Sequence, residues 1–253
     1  MESHRSHVIH YTPPSVDNLV NNLPDVLKSS RQFLPWVPRE GKKVPLKANG
    51  NEWGNYNDPT GWRTFPEALD LLDRGKAFGV GLVLSSQQDA ASLPDFNLIT
   101  GIVAVDGDAK RSPVATPYNV PENISSYIRS LRSYSEYSTS LMGQRVLVFG
   151  TIPTQKQHMT KTFGDGTELG LYRAGWVTLS GLALVDSFPT IEHRQHALDQ
   201  IVCELWPPAD IELTTRSAPK PISFAQNFVL DWNRTVSDAR VRQFIQGHNR
   251  TPN

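Results

Sequence analysis

Thr100-Gly101-Ile102-Val103-Ala104-Val105-Asp106-Gly107-Asp108 decides how the rest of this chain is read. Four branched or apolar residues run directly into two carboxylates spaced i, i+2. On a strand, alternate residues share a face, so Asp106 and Asp108 project to the same side of a sheet. Oxygen ligands on one rigid face suit Mg²⁺, which takes one or two protein carboxylates and fills its other positions with water and substrate phosphates. Asp-Gly is also a common hairpin signal, and on the residues alone the pair also reads as a strand ending in a turn.

Composition narrows the alternatives. Lys and Arg number 25 and Asp and Glu also 25, so the formal net charge is zero. A neutral total argues against a polycation that coats nucleic acid, but it leaves room for a local basic groove, because steering depends on how charge is distributed. The 253 residues suffice for one large domain or two small ones. Cys203 is the single cysteine. That excludes an intrachain disulfide framework and a thiolate zinc cluster, and it points to a reducing compartment. The segment Met1 to His7 is polar, and no run approaches the roughly 18 to 20 apolar residues of a membrane span. The expectation is a soluble, cytoplasmic protein with no membrane contact.

Outward from the Asp-Gly-Asp strand, the pattern predicts alternating helices and strands. Residues up to Pro14 read as a loose arm. A helix follows over Val16, Leu19, Val20, Leu23, Val26 and Leu27, with Ser15 as N-cap and an interruption near Pro24. Phe33 to Pro38 leads into Gly41-Lys42-Lys43-Val44-Pro45-Leu46-Lys47, whose lysines stand either on a solvated hairpin or against phosphates. Thr64 and Glu67 have the spacing of a capping box before the apolar face of Ala68, Leu69, Leu71 and Leu72, and Gly75 suits the helix end. Phe78 to Leu84 reads as a buried strand whose glycines allow close packing. Ser85 to Phe96 reads as a polar loop.

Beyond Asp108 an irregular stretch with three prolines gives way to a helix from Glu122 to Arg132. Tyr134 to Ser138 alternates as a strand, and Arg145 to Gly150 is a buried one, so Arg145 stands where a loop returns to the sheet. A mobile, basic connector with Lys156, His158 and Lys161 precedes Glu168 to Tyr172 and Trp176 to Gly181. These two segments read as a hairpin about Arg173-Ala174-Gly175. A last helix runs from Thr190 or Ile191 to Trp206, where Pro207-Pro208 stops it. The expected organisation is an arm and helix over 1–32, one domain over 33–209, and a linker and tail over 210–253 with a short helix from Ser237 to Gln246.

The order of these pieces is more specific than any one of them. A Trp with the Lys43-Val44-Pro45 hairpin, Asp58-Pro59 before Trp62, Gly79-Val80-Gly81-Leu82-Val83-Leu84 and Asp106-Gly107-Asp108 come first. A Ser-rich loop before a Val-rich strand, then Thr178-Leu179-Ser180-Gly181 and the helix from His193 to Leu198, complete the series. Over roughly residues 33 to 206 this resembles the primase-polymerase domain of phage and plasmid replication proteins, within the archaeo-eukaryotic primase superfamily. The resemblance implies an α+β fold, in which an N-terminal αβ unit stands beside a palm sheet like that of an RNA-recognition motif. It implies metal-dependent, template-directed nucleotidyl transfer with Mg or Mn, on single-stranded or primed DNA and nucleoside triphosphates. Asp106 and Asp108 match the family's metal-binding pair, and two metals there could activate a primer 3′ hydroxyl and stabilise the leaving pyrophosphate.

Two positions depart from the family pattern. Similar proteins carry Ser-Pro-Ser-Gly-x-Gly-x-His where this chain has Ser138-Thr139-Ser140-Leu141-Met142-Gly143-Gln144-Arg145. Ser138, Ser140 and Arg145 are therefore the expected phosphate contacts, with Lys43, Lys47 and Lys161 as further basic candidates. A guanidinium binds phosphate bidentately and keeps its charge, while a proton-transfer role at that place would be lost. Alternatively Arg145 pairs with a nearby acid such as Glu136. The family's third acidic residue is here Gly170. Glu168 lies two residues earlier on the same strand face, about 6 to 7 Å away, and is expected to replace it in part through water. No Gly-x-Ser-x-Gly elbow or Walker-type loop occurs, so a hydrolase lacks support and any unwinding falls to a separate helicase. The expectation is a DNA primase/polymerase of a phage, plasmid or other mobile-element replication system, with catalysis impaired or altered. The alternative is a degenerate primase-like module that holds nucleotide or single-stranded DNA without efficient chemistry.

Overall fold

The computed structural model describes residues 10–47, 55–152 and 157–207. Most of the arm before His10, Lys156, and the tail with its expected helix from Ser237 to Gln246 lie outside them. The elements run α1 (Val16–Asn22), α2 (Asp25–Lys28), β1 (Phe33–Arg39), β2 (Lys42–Pro45), α3 (Phe65–Asp73), β3 (Gly79–Leu84), α4 (Gln87–Ser92), β4 (Ile102–Asp108) and α5 (Glu122–Ser130). They continue as β5 (Ser135–Tyr137), β6 (Gly143–Phe149), β7 (His158–Thr162), β8 (Glu168–Tyr172), β9 (Gly175–Leu179), β10 (Glu192–His193) and α6 (Gln195–Leu205). The architecture is mixed α+β, with two sheets ordered β2-β1-β3-β9 and β10-β6-β4-β8-β7, and with β5 also paired to β6. Neighbouring strands are antiparallel, apart from β10 on β6.

Several local signals act as read. The Thr64 hydroxyl accepts from the Glu67 backbone N–H while the Glu67 carboxylate accepts from the Thr64 N–H, a closed capping box at the start of α3. Pro24 separates α1 from α2. Ser15 does precede α1, but its side chain makes no capping hydrogen bond.

Other expectations fail for physical reasons. Glu168 to Gly181 is not a hairpin: β8 pairs with β4 and β7, whereas β9 pairs with β3 in the other sheet. Arg173-Ala174-Gly175 carries the chain between sheets, with Gly175 at φ +91°. The polar segment after β3 holds a helix, because the Ser86 hydroxyl and the Asp89 carboxylate form a second capping box that opens α4. The connector containing His158 and Lys161 is the edge strand β7, paired along its length with β8. The closing helix starts at Gln195, since Glu192 and His193 are drawn into the sheet against Val148 and Phe149.

The alternation along β4 positions the site. Val103 and Val105 pack with Ile128 of α5 and with Leu198, Ile201 and Val202 of α6 on one face. Ile102 and Ala104 turn the other way, into a core shared with Val80, Leu82 and Leu84 of β3, Val177 and Leu179 of β9, and Leu19, Leu23 and Leu27 of the N-terminal helices. Asp106 and Asp108 continue this second face, so they stand where the seam between the two sheets leaves its apolar core. The buried strand β3 supports that seam through tight ring-on-glycine contacts. A Cβ on Gly81 would lie 2.5 Å from a Trp176 ring carbon and 2.9 Å from the Val177 carbonyl oxygen. Gly81→Ala is therefore expected to lower the unfolding free energy by about 1–3 kcal/mol through overpacking. A urea midpoint equal to the parent's would show that the ring and the strand part without cost.

Candidate functional site

Strand register assembles the site around β4. Asp106 faces Arg145 on β6 and Gly170 on β8, while Asp108 faces Gly143 and Glu168. Directly opposite residues share a face, so the sheet presents Asp106, Asp108, Arg145 and Glu168 together. Each aspartate already holds a cation. Arg145 Nη2 lies 2.7 Å from Asp106 Oδ1. Asp108 takes Lys110 twice, its Oδ1 accepting from the Lys110 backbone N–H at 2.9 Å and its Oδ2 pairing with Lys110 Nζ at 2.5 Å.

Arg145 is buried and tied on three sides. Beyond Asp106, its Nη1 donates to the Thr178 carbonyl oxygen on β9 and lies 3.7 Å from Glu136 Oε1. Its Nε is buried and has no hydrogen-bond partner among the described residues. Glu136 is buried as well. It accepts from the Tyr134 hydroxyl and from the backbone N–H groups of Ser180 and Gly181. Burial lifts the Glu136 carboxyl above its ordinary range, against the pull of Arg145 and those three donors. The pairing of Arg145 with Glu136 that the sequence allowed is thus present, and Asp106 shares it.

Lys43 reaches the same group of side chains from the β1–β2 hairpin. Its Nζ donates to Thr178 Oγ1 at 2.9 Å and lies over the rings of Tyr11 at 5.2 Å and Trp36 at 5.7 Å. Tyr11 in turn donates from its hydroxyl to the Gly41 carbonyl oxygen, and the Thr12 N–H donates to Thr139 O, so residues 11 and 12 join the hairpin to the Ser-rich loop. The lysine pKa falls to about 7, chiefly because burial disfavours the ammonium, with Arg145 and Lys110 adding to the fall while Asp106 and Asp108 oppose it.

The remaining candidates divide. Ser138 and Ser140 are buried, with their hydroxyls 3.0 Å apart, and their loop is held to the end of β4 by Ala109 N–H on Met142 O. Glu168 stands across from Asp108, and one carboxylate oxygen lies 3.5 Å from the Thr162 hydroxyl. Lys47 is exposed past the end of β2. Lys161 pairs in register with Leu169, whose side chain packs on the face of α5 and α6, so it projects away from the carboxylates. Lys110, Tyr172 and Thr178 join the site without having been singled out. For Lys110 and Tyr172 a signal existed, since each lies two residues from a residue already marked, Asp108 and Gly170. Thr178 was marked only as part of the landmark Thr178-Leu179-Ser180-Gly181, and its place at the site depends on β9 crossing to the other sheet.

No protein-family model matches the chain. Over 166 residues, 64% of this chain, it is 28% identical to a protein named DNA Primase-polymerase from Nitratiruptor phage NrS-1. The chain resembles a phage DNA primase-polymerase. It spans only 21% of that relative's length. The likeness supports a primase-polymerase domain, in agreement with the ordered landmarks of the sequence. Where the resemblance implies a third acid, Gly170 stands under the Tyr172 ring. A Cβ on Gly170 would meet the Tyr172 ring at 2.5 Å and its hydroxyl oxygen at 2.7 Å. Among the described residues, no three His, Cys, Asp or Glu side chains are arranged to hold a metal, and no helix is long and apolar enough to cross a membrane.

The Lys43 ammonium gives the cleft a signature in stability. Its pKa is about 7 in the fold against 10.5 in the unfolded reference. Between those values the unfolded chain binds more protons, so stability rises with pH across that window; below it, the folded state bears the full cost of the buried charge. The urea midpoint of the parent should therefore climb between pH 7 and 9.5 relative to that of Lys43→Met. Parallel profiles for the two proteins would show that Lys43 is not desolvated.

Proposed function

We propose that the cleft between the two sheets carries out nucleotidyl transfer on a DNA template, as a primase-polymerase of a phage, plasmid or other mobile-element replication system. One observation carries the reading: Asp106 and Asp108 share a face with Arg145, and Lys43 and Lys110 bring two more cations to the same cleft. Carboxylates set among phosphate-binding cations are what phosphoryl chemistry needs, because catalysis there is mostly positioning and charge stabilisation. In this reading residues 33–209 form the catalytic domain, with β4, β6 and β8 as its palm. Single-stranded or primed DNA and nucleoside triphosphates are its ligands, a separate helicase supplies unwinding, and the reaction runs in the cytoplasm of the host.

The donor chemistry of Asp106 and Asp108 fits Mg²⁺ or Mn²⁺, since a hard cation takes one or two carboxylates and completes its shell with water and phosphate oxygens. Bound there, the cation would supply Lewis-acid neutralisation of phosphoryl charge. The chain's own residues do the rest. A triphosphate competes with Asp106 for Arg145, whose planar guanidinium grips two phosphate oxygens at once, and the unpartnered Nε offers a further donor. Arg145 remains charged throughout, so it binds and orients but transfers no proton. Lys43, near neutrality in its aromatic cage, gains its charge as phosphate approaches, which favours anion binding at that end of the cleft.

A second reading is a module that holds nucleotide or single-stranded DNA without chemistry. The side-chain cations already seated on both aspartates favour it. Primer extension with Mg²⁺ or Mn²⁺ separates the two. The parent should incorporate nucleotides on a primed template, and Asp106→Ala combined with Asp108→Ala should lower the rate by at least about 100-fold, the scale of a lost charge-stabilising group. Nucleotide binding without incorporation in the parent would favour the binding module, and incorporation that persists in the double variant would place the chemistry elsewhere.

A further inference from the structure

We propose that Lys43 is the proton donor to the leaving pyrophosphate, a further catalytic residue of the transfer reaction. The inference rests on the nucleotidyl-transfer reading above and assigns one step of it. A nucleotide 3′ hydroxyl attacks the α-phosphorus and a new O–P bond forms. The bond from that phosphorus to the oxygen bridging the α- and β-phosphates breaks, and that oxygen leaves with the electron pair. Lys43 Nζ gives it a proton, the hydroxyl proton passes to water, and water afterwards returns a proton to the amine. A donor matched to this work titrates near the operating pH and stands within hydrogen-bond reach of the oxygen it serves.

Lys43 stands with the groups assigned to the triphosphate. Its Nζ donates to Thr178 Oγ1, and Arg145 Nη1 donates to the carbonyl oxygen of the same residue. The Thr178 hydroxyl in turn lies 3.5 Å from that of Thr139, between Ser138 and Ser140. Among the described residues no carboxylate is within ion-pair distance of Lys43, whose neighbours are that hydroxyl and the rings of Tyr11 and Trp36. Burial sets its pKa at about 7, with Arg145 and Lys110 adding to the fall and Asp106 and Asp108 opposing it. An anion drawn up to Arg145 favours the ammonium, so the lysine meets the triphosphate protonated and yields the proton as the P–O bond breaks. The other groups nearby are unsuited. Arg145 keeps its proton, and Lys110 Nζ is held on Asp108 Oδ2 at 2.5 Å. Burial raises the pKa of the Tyr172 phenol. Glu136 is buried and enclosed by Tyr134 and the N–H groups of Ser180 and Gly181.

Single-turnover primer extension by the full chain tests the step through the basicity of the leaving group. Lys43→Arg keeps a cation that does not release its proton. It should bind nucleoside triphosphate with near-parental affinity and extend about 100-fold more slowly. That deficit should widen with a β,γ-methylene triphosphate, whose leaving group is more basic than pyrophosphate. It should shrink with the β,γ-difluoromethylene analogue, whose leaving group is less basic. A deficit equal for all three nucleotides, or no deficit, would overturn the proton transfer while leaving nucleotidyl transfer standing. Tyr11→Ala gives a second measurement with the lysine retained, and it decides the point even if Lys43→Arg does not fold. The parent's rate should fall at alkaline pH as the amine loses its proton, and uncovering the amine should move that fall to higher pH. A fall at the same pH in both proteins would overturn the inference. A parent that binds nucleotide but never extends would remove this inference together with the proposed function.

Discussion

A buried guanidinium is the constraint on which the rest of this structure depends. Arg145 leaves β6, pairs with Asp106 on β4, donates to Thr178 O on β9 in the other sheet, and stands beside the buried carboxylate of Glu136. Glu136 in turn anchors the turn after β9 through the N–H groups of Ser180 and Gly181. Removing one partner from such a buried set costs about 3–5 kcal/mol, because the charge left behind has neither water nor a counter-ion. The same network therefore closes the seam between the sheets and aims the site. An apolar replacement could hold the seam equally well, but it could not present a cation beside two aspartates.

That arrangement also explains how two neighbouring carboxylates persist in a partly buried place. Asp106 and Asp108 each have their own cation, from β6 and from the residue two positions on, so neither depends on a bound metal for neutralisation. Under the proposed function a ligand would bind here by exchange: phosphate oxygens would take over donors that the aspartates hold, and the freed aspartate oxygens would become available to a cation. Lys43 adds a third donor whose charge is costly in its cage of Tyr11 and Trp36 until an anion arrives.

Much of this was legible because it is local. The apolar run into Asp-Gly-Asp specifies a strand, period two puts both carboxylates on one face, and Thr64 with Glu67 announces a helix start. The helix opened by Ser86 and Asp89 was equally local, and it is hidden only by the polar composition of its segment. What composition and period cannot reveal is which strand lies beside which. The chain after Tyr172 crosses to the other sheet instead of turning back, and that choice is made by Val177 and Leu179 joining the core of β3, far away in sequence. Thr178 enters the site only through that crossing. The closure of Gly170 is a middle case: the glycine is visible in the sequence, but that a ring two residues on lies across it is a matter of rotamer and of the stack on His158.

The central claim is that Asp106 and Arg145 part when nucleotide binds, the arginine going to phosphate and the aspartate to metal. A crystal structure of the protein with Mn²⁺ and a non-hydrolysable nucleoside triphosphate tests it most directly, with the metal located by its anomalous scattering. The account predicts an anomalous peak against Asp106 and phosphate oxygens within hydrogen-bond distance of Arg145. An Arg145–Asp106 ion pair that stays intact while nucleotide binds elsewhere on the chain would contradict it.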